Sequence, residues 1–303
     1  MAFSSLYSAI CRGKWFISFR DVESNLILVD KLLERGITKE DTSQLSDAEP
    51  IDTLLSGDGK EAKSGNNFSD APIDSTAIIP VHGTLLKYGT YCNYGTTELA
   101  EVLCQAADSP NISSIVVDID SGGGSVDAIA PLVDAIQYTK SKGKTVVAHC
   151  DMCASAAYYV AVYCDEIIAS NDISSEFGSI GVMMSFPDYA KYYEKEGVKV
   201  HTVYSNLSDY KNAPFEAAKR GEYDLVKEEE LDPLARGFQE SVKKHRCSLK
   251  METVGLLRGR MFYARDAVNV GLVDSIGTRD FAIQRAREIR NEACINGYIN
   301  SKL

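Results

Sequence analysis

From Thr76 to Tyr204 short β-branched runs take turns with stretches of helical period, and no other feature of the sequence limits the fold so tightly. The runs are TAIIPV (76–81), SSIVVDID (113–120), KTVVAH (144–149), DEIIAS (165–170) and VKVHTVY (198–204). Between them lie GTTELAEVLCQAAD, SVDAIAPLVDAIQYTKSKG and SAAYYVAVYC. Strands alternating with helices predict an α/β fold with largely parallel strands. In such folds the chemistry gathers at the C-terminal ends of the strands. Two ends stand out: DIDSGGGSV, where a strand runs into three glycines and then a helix, and HCDMCASAAYY (149–159).

The second stretch offers several reactive groups at once. Cys150 and Cys153 have the C-x-x-C spacing of a redox pair, but Asp151 and Met152 between them do not suit that motif. A structural zinc site would need a second paired set of ligands, so small buried thiols are the simpler reading. His82, His149, His201 and His245 are each open to the role of base in a triad, because triads follow geometry and not chain order. Packing or hydrogen bonding is the default for all four. Ser155 sits among Ala154, Ala156 and Ala157 at a helix start, where free N–H groups favour developing negative charge. Two readings of it stand: a nucleophile, or small residues that let a helix pack closely on the sheet. The glycines of SGGGS (121–125) leave backbone N–H groups free to build an oxyanion hole. The same run lacks the Gly-Lys-Ser/Thr ending of a P-loop and the spacing of a dinucleotide fingerprint.

Composition narrows the partners. With 32 basic against 43 acidic residues the net charge is -11, which repels a phosphate backbone and argues against nucleic acid. The eight cysteines are scattered through 303 residues, which predicts reduced thiols in a cytosolic compartment. Arg12 and Lys14 interrupt the N-terminal apolar stretch, and nowhere are there about 18 consecutive apolar residues. The expectation is a chain without signal peptide or membrane anchor. Residues 21–36 place Val22, Leu26, Val29 and Leu33 on one face and stop at Gly36, so 1–37 is expected as an N-terminal helical segment. Residues 38–72 are rich in Asp, Ser, Gly and Asn and are expected as a polar, disordered linker. The stretch 222–247 reads as a charged amphipathic helix that Pro233 bends or restarts, and 291–303 as a tail.

Taken in order, DIDSGGGSVDA, GKTVVAHCDMCASAAYYVAVYCDEIIAS, GSIGVMM, SDYKNAPF and GLVDSIG resemble the serine peptidase family of signal peptide peptidase A, or protease IV. The resemblance runs over about two thirds of the chain and implies a ClpP/crotonase-type fold of repeated ββα units, with a C-terminal helical region, across 73–290. It implies a Ser-Lys dyad. Ser155 matches the nucleophile, Lys211 the general base of a Y-K-x-x-P-F-like stretch, and Ser179 a hydroxyl able to orient the lysine amine. Gly123 and Gly124 match the pair whose backbone forms the oxyanion hole, while Gly122 stands where the family has proline. An ordinary lysine, with a pKa of about 10.4, is neutral in only about one molecule in 2,500 at pH 7. Lys211 would therefore need a cleft that lowers its pKa before it could take the Ser155 proton.

The N-terminal arrangement looks most like the phage capsid-assembly branch of that family. This implies an endopeptidase that works through an acyl-enzyme on scaffold, portal or capsid proteins, and on itself, in the host cytoplasm or prohead. The alternatives are a cytosolic peptidase that degrades signal peptides or other peptides, and an inactive structural head component. A crotonase-like acyl-CoA enzyme would share the fold but would lack a dyad lysine. No cofactor or metal is expected, and a homo-oligomer is expected by analogy with the fold.

Overall fold

The structure is a computed structural model that describes residues 14–17, 53–57, 60–63, 67–89, 94–186, 188 and 190–300. In chain order, β1 (Lys14–Ile17) is followed by a hairpin of β2 (Leu54–Gly57) and β3 (Lys60–Lys63). Then come β4 (Ser75–His82), α1 (Thr96–Asp108), β5 (Ile112–Ser121), the short β6 (Gly123–Ser125), α2 (Ile129–Ser141), β7 (Thr145–Ala154) and α3 (Ala156–Ala161). The chain continues through β8 (Glu166–Ala169), β9 (Glu176–Gly178), β10 (Met183–Met184), α4 (Ala190–Lys195), α5 (Ala213–Lys219) and α6 (Asp232–His245). It ends with β11 (Met261–Tyr263), α7 (Ala264–Val270), β12 (Ser275–Ile276) and α8 (Arg279–Asn300).

Among the described residues the larger sheet has the order β11-β9-β7-β5-β4-β2-β3. Its centre, β4, β5, β7 and β9, is parallel, and β7 forks: residues 147–150 pair with β8, residues 152–154 with β9. Side chains alternate across these strands, so strands that are apolar throughout need a cover on each face, and the burial shows both. Ile115, Val117, Val146 and Ala148 join Leu99, Val102, Leu132 and Ile136 of α1 and α2 in one core. Ile78, Val116, Val147 and Ile168 meet Ala282, Ile283 and Ala286 of α8 on the other face. The helical spacing of Leu99, Val102, Leu103 and Ala106 explains why α1 lies flat on the sheet.

The α/β architecture with parallel strands and ββα-type units is as expected, and four of the five anticipated strands form. The exception is 198–204, which is not a strand: Val200 is 71% and Val203 90% exposed. β-Branched residues make a strand only where an edge is there to pair with and a face to pack against, and this run has neither. The helix anticipated over 21–36 lies outside the described residues. Within the N-terminal segment expected as helical, residues 14–17 form a strand instead.

The stretch expected as a linker also departs from expectation. β2 adds antiparallel to the edge of β4, with Leu54 opposite Ile78 and Leu55 opposite Ala77, and Leu55 is buried there. Burial of Leu55 and pairing along β4 outweigh the polar composition around them. The expected tail continues α8 as far as Asn300. Pro233 falls in the first turn of α6, after a helical turn at Asp224–Val226 and a wide turn at Lys227–Leu231, so it restarts a helix where its missing N–H does no harm.

α6 is held by Phe238, fully buried, whose ring lies 4.9 Å from that of Tyr159 on α3. Phe238→Ala is expected to lower stability by about 3–5 kcal/mol in a denaturant titration. A loss under about 1 kcal/mol would mean that α6 contributes little to the core.

Candidate active site

Three neighbouring parallel strands end side by side. In register, Ser121 of β5 lies opposite Cys153 of β7, and Ala154 of β7 opposite Gly178 of β9. One or two residues farther on, Gly123, Ser155 and Ser179 therefore follow the three strand ends across the C-terminal edge of the sheet. Adjacent strands stand about 4.8 Å apart, so these residues share one small region. The sequence places the Ser121–Gly123 loop, Ser155 and Ser179 far from one another; the parallel register gathers them.

Ser155 is the turning point between β7 and α3. It has φ 54° and ψ -117° and is 1% exposed. A non-glycine residue at such φ, on a sharp strand-to-helix turn, is strained by about 1–3 kcal/mol and has the position of a nucleophile elbow. Its N–H donates to the Gly178 carbonyl at 2.9 Å and its carbonyl accepts from Tyr159 N–H at 2.9 Å. These bonds hold the backbone in place, and the hydroxyl bonds no other described residue. Ala154, Ala156 and Ala157 are fully buried, which is why this turn has alanines: larger side chains would not fit beneath it.

The flanks are also fixed by backbone. Ser179 has φ 52° and donates its N–H to the Arg260 carbonyl at 3.1 Å. On the other side, a Cβ on Gly124 would come within 2.0 Å of the Leu85 carbonyl oxygen. Leu85 N–H donates to Gly123 O, and Ser125 N–H to Leu85 O, both at 2.9 Å. In an extended strand successive residues point their polar groups to opposite sides, so the N–H and C=O of Gly124 face away from Leu85. Gly123, at φ 108°, donates its N–H at 3.1 Å to Ser121 Oγ, which itself donates to Gly83 O at 2.5 Å. The two glycines are thus unlike: the Gly123 N–H has its acceptor within the loop, the Gly124 N–H faces β1, with Phe16 opposite it. The N–H of Ala156, next after Ser155, bonds no other described residue. Sequence reasoning passed over it because a backbone donor has no residue-type signature; its place directly after the serine is the one clue.

Lys211 comes from a later loop. It is exposed, in the loop before α5, beside a cleft of about 640 Å³ lined by Tyr204, Asp209, Glu216, Arg220 and Glu222. No hydrogen bond joins it to Ser155 or Ser179 among the described residues. The strand register brings Gly123, Gly124, Ser155 and Ser179 to one edge of the sheet, and Lys211, on a solvent-exposed loop, forms no hydrogen bond with them.

His149, His245, Cys150, Cys153 and Cys164 have structural surroundings. His149 Nδ1 lies 2.9 Å from Asp118 Oδ1, and His149 Nε2 is buried without a partner among the described residues. Burial by itself pushes the Asp118 carboxyl up, but the His149 hydrogen bond, with His149, His82 and Arg279 nearby, outweighs it and holds the group below its ordinary value. His245 Nδ1 meets Ser241 O at 2.8 Å and its ring packs on Tyr163. Cys150, Cys153 and Cys164 are free and buried. Burial pushes the Cys150 thiol well above its ordinary value, the opposite of what a redox thiolate needs.

With this geometry in hand, the model of peptidase family S49 matches residues 138–292, just over half of the chain. The chain belongs to peptidase family S49. The match takes in Ser155, Ser179 and Lys211, while the glycine run lies upstream of it. The chain is 29% identical over 219 residues to protease 4 of Haemophilus influenzae, covering 71% of this chain and 35% of that protein. It is 29% identical over 210 residues to the head-tail preconnector protein GP5 of Enterobacteria phage P21, covering 67% and 41%. To capsid assembly protease C of Escherichia phage lambda it is 24% identical over 252 residues, covering 80% and 56%. This S49 chain thus spans between about a third and a little over half of the length of these relatives. Among solved structures, a mutant of the 1510-N membrane-bound stomatin-specific protease in complex with a substrate peptide aligns with a TM-score of 0.43 at 13% identity, over 72% of this chain and 80% of that one. An enoyl-CoA hydratase/isomerase family protein from Hyphomonas neptunium aligns with a TM-score of 0.38 at 16% identity, over 74% and 73%.

Two outcomes test the site as a folded object. Ser155→Gly, which relieves the positive φ, is expected to raise stability by about 1 kcal/mol relative to Ser155→Ala in thermal melts. Asp118, with its folded pKa depressed, contributes stability that is complete above the unfolded value of about 3.9 and is lost as pH falls through the folded value. The stability gap between wild type and Asp118→Asn should therefore narrow in acid, as pH falls below about 4.

Proposed function

We propose that this chain is a serine endopeptidase in which Ser155 is the nucleophile. The observation that carries the reading is Ser155 itself: a buried serine with positive φ on a strand-to-helix turn, its hydroxyl unengaged, beside a glycine strand, in an S49 chain. Ser155 Oγ attacks the substrate carbonyl and forms an acyl-enzyme, the amine leaves, and water then releases the acid. The N–H groups of Ala156 and of Gly123 and Gly124 are the candidate donors to the oxyanion. Gly123 fills that role only if its N–H leaves Ser121 Oγ. A loop of three glycines, without the family's proline at 122, makes such a turn of the peptide plane easy.

Lys211 takes the Ser155 proton, and Ser179 orients its amine. Because Lys211 lies in solvent in the single chain, the dyad is completed by a change of arrangement. A homo-oligomer supplies one. The stretch that leads to the lysine exposes Val198, Val200, Val203, Leu207 and Tyr210, an apolar strip suited to cover by a second copy. The substrates are proteins of phage head assembly. The reading rests on the likeness to a capsid assembly protease and a head-tail preconnector protein, and it sets the work in the host cytoplasm or prohead. No helix among the described residues is long and apolar enough to cross a membrane.

The test uses wild type, Ser155→Ala and Lys211→Ala with a fluorophosphonate probe and a peptide library. Wild type should label and cleave, Ser155→Ala should do neither, and Lys211→Ala should lose about 10²–10⁴-fold in cleavage rate. Mixing the two variants should restore activity if one copy lends its lysine to the serine of another. Labelling absent from wild type and from every variant that keeps Ser155 would overturn the peptidase reading.

A further inference from the structure

Besides the large sheet, the described residues form a small one with the order β10-β1-β6. Its outer strands belong to the site region: β6 holds Gly123 and Gly124, and β10 begins four residues after Ser179. β1 lies between them and pairs antiparallel with both. Ile17 is opposite Gly123, Phe16 opposite Gly124 and Trp15 opposite Ser125. On its other edge Trp15 is opposite Met183 and Lys14 opposite Met184.

The pattern of polar groups shows how closely β1 completes this surface. Leu85 takes the inward groups of β6, so the N–H and C=O of Gly124 face β1 and make the Gly124–Phe16 pair the hydrogen-bonded one. Alternation then turns the groups of Trp15 toward β10. β6 and β10 both run antiparallel to β1, hence parallel to one another, with room between them for a single strand. Without an occupant, the edges of both would be bare. Strand addition of this kind is a general way to hold an extended peptide, with the main chain supplying the affinity. The groove passes beside the serine, because Gly123 and Ser155 both stand two residues beyond the paired Ser121 and Cys153.

We propose that residues 14–17 are an internal strand that fills the peptide groove of the Ser155 site and must leave before a substrate can enter. This rests on the peptidase reading and adds a resting state to it. As part of the same chain, the strand competes at the effective concentration of a tethered ligand, on the order of 1 mM. A free peptide of equal affinity must approach that concentration to displace it.

The experiment uses the full chain as wild type, Trp15→Pro and Phe16→Pro. Proline removes the N–H that faces Met183 in the first variant and Gly124 in the second. Amide hydrogen exchange is read at Gly124 and Met183, with Val117 and Val147 as controls for an intact core, alongside the rate of fluorophosphonate labelling of Ser155. Expected are exchange and labelling each about tenfold faster in the variants, as loss of one strand hydrogen bond implies, with the core still protected. An added peptide of the sequence RGKWFISF (12–19) should slow labelling of Phe16→Pro again. Exchange at Gly124 and Met183 equal in all three proteins overturns the inference, whatever their activity. Faster exchange with labelling unchanged overturns it too, since the strand then guards nothing. Labelling absent from all three proteins, with exchange faster in the variants, is instead the failure of the peptidase reading on which the inference rests.

Discussion

The register of β5, β7 and β9 is the constraint on which the rest depends. A slip of one residue would exchange every side chain between the two faces of a parallel strand, and here each face is packed against its own helices, α1 and α2 on one side and α8 on the other. The positions of Ser121, Cys153 and Phe177 are therefore set by burial far from the strand ends. The turns beyond the strands inherit that precision: Gly123, Ser155 and Ser179 stand together because the core beneath them admits one alignment. A site built this way needs little help from its own side chains, and the Ser155 hydroxyl is accordingly free of hydrogen bonds to other described residues.

The same rigidity explains how the local strain is tolerated. Ser155 and Ser179 both have positive φ, which an isolated turn would relax. Each is instead fastened by its N–H, Ser155 to Gly178 and Ser179 to Arg260. A Cβ on Gly178 would meet the Arg260 carbonyl oxygen at 2.3 Å, so that glycine lets the β11 side approach closely enough to fasten Ser179. Gly124 does the same for Leu85 on the opposite flank. Glycines thus serve the site in two ways, by freeing donors and by letting neighbouring backbone come close enough to lock the turns.

Where burial decides, the sequence was a good guide. The β-branched runs at 76–81, 113–120, 144–149 and 165–170 became strands because each is covered by the core, and the small residues round Ser155 marked a tightly packed turn. The run at 198–204 has the same composition but no partner edge, and period alone could not tell the two cases apart. The hairpin of β2 and β3 was hidden by averaging composition over 38–72, although Leu54-Leu55 followed by Asp58-Gly59 is a legible hairpin signal. The pairing of β1 with β6 and β10 was not legible, because it depends on edges that exist only after the sheet has formed. Nor was the exposure of Lys211, whose assignment came from family likeness and not from any pattern that reports burial. The His149–Asp118 pair follows from two neighbouring strands in register, which a single sequence does not reveal.

The exposed lysine and the filled groove are linked by one physical division. A serine on a strained turn, with N–H donors at hand, is nearly complete as a nucleophile and lacks only a base and room for a peptide. On the proposed readings, both are withheld by segments outside the rigid sheet, the loop that carries Lys211 and the strand β1. Neither segment has to disturb the β5, β7 and β9 register in order to move. A peptidase whose substrates are the proteins it assembles with would gain from this division: the part that must be accurate is fixed by the core, and the parts that license activity are attached at its edge.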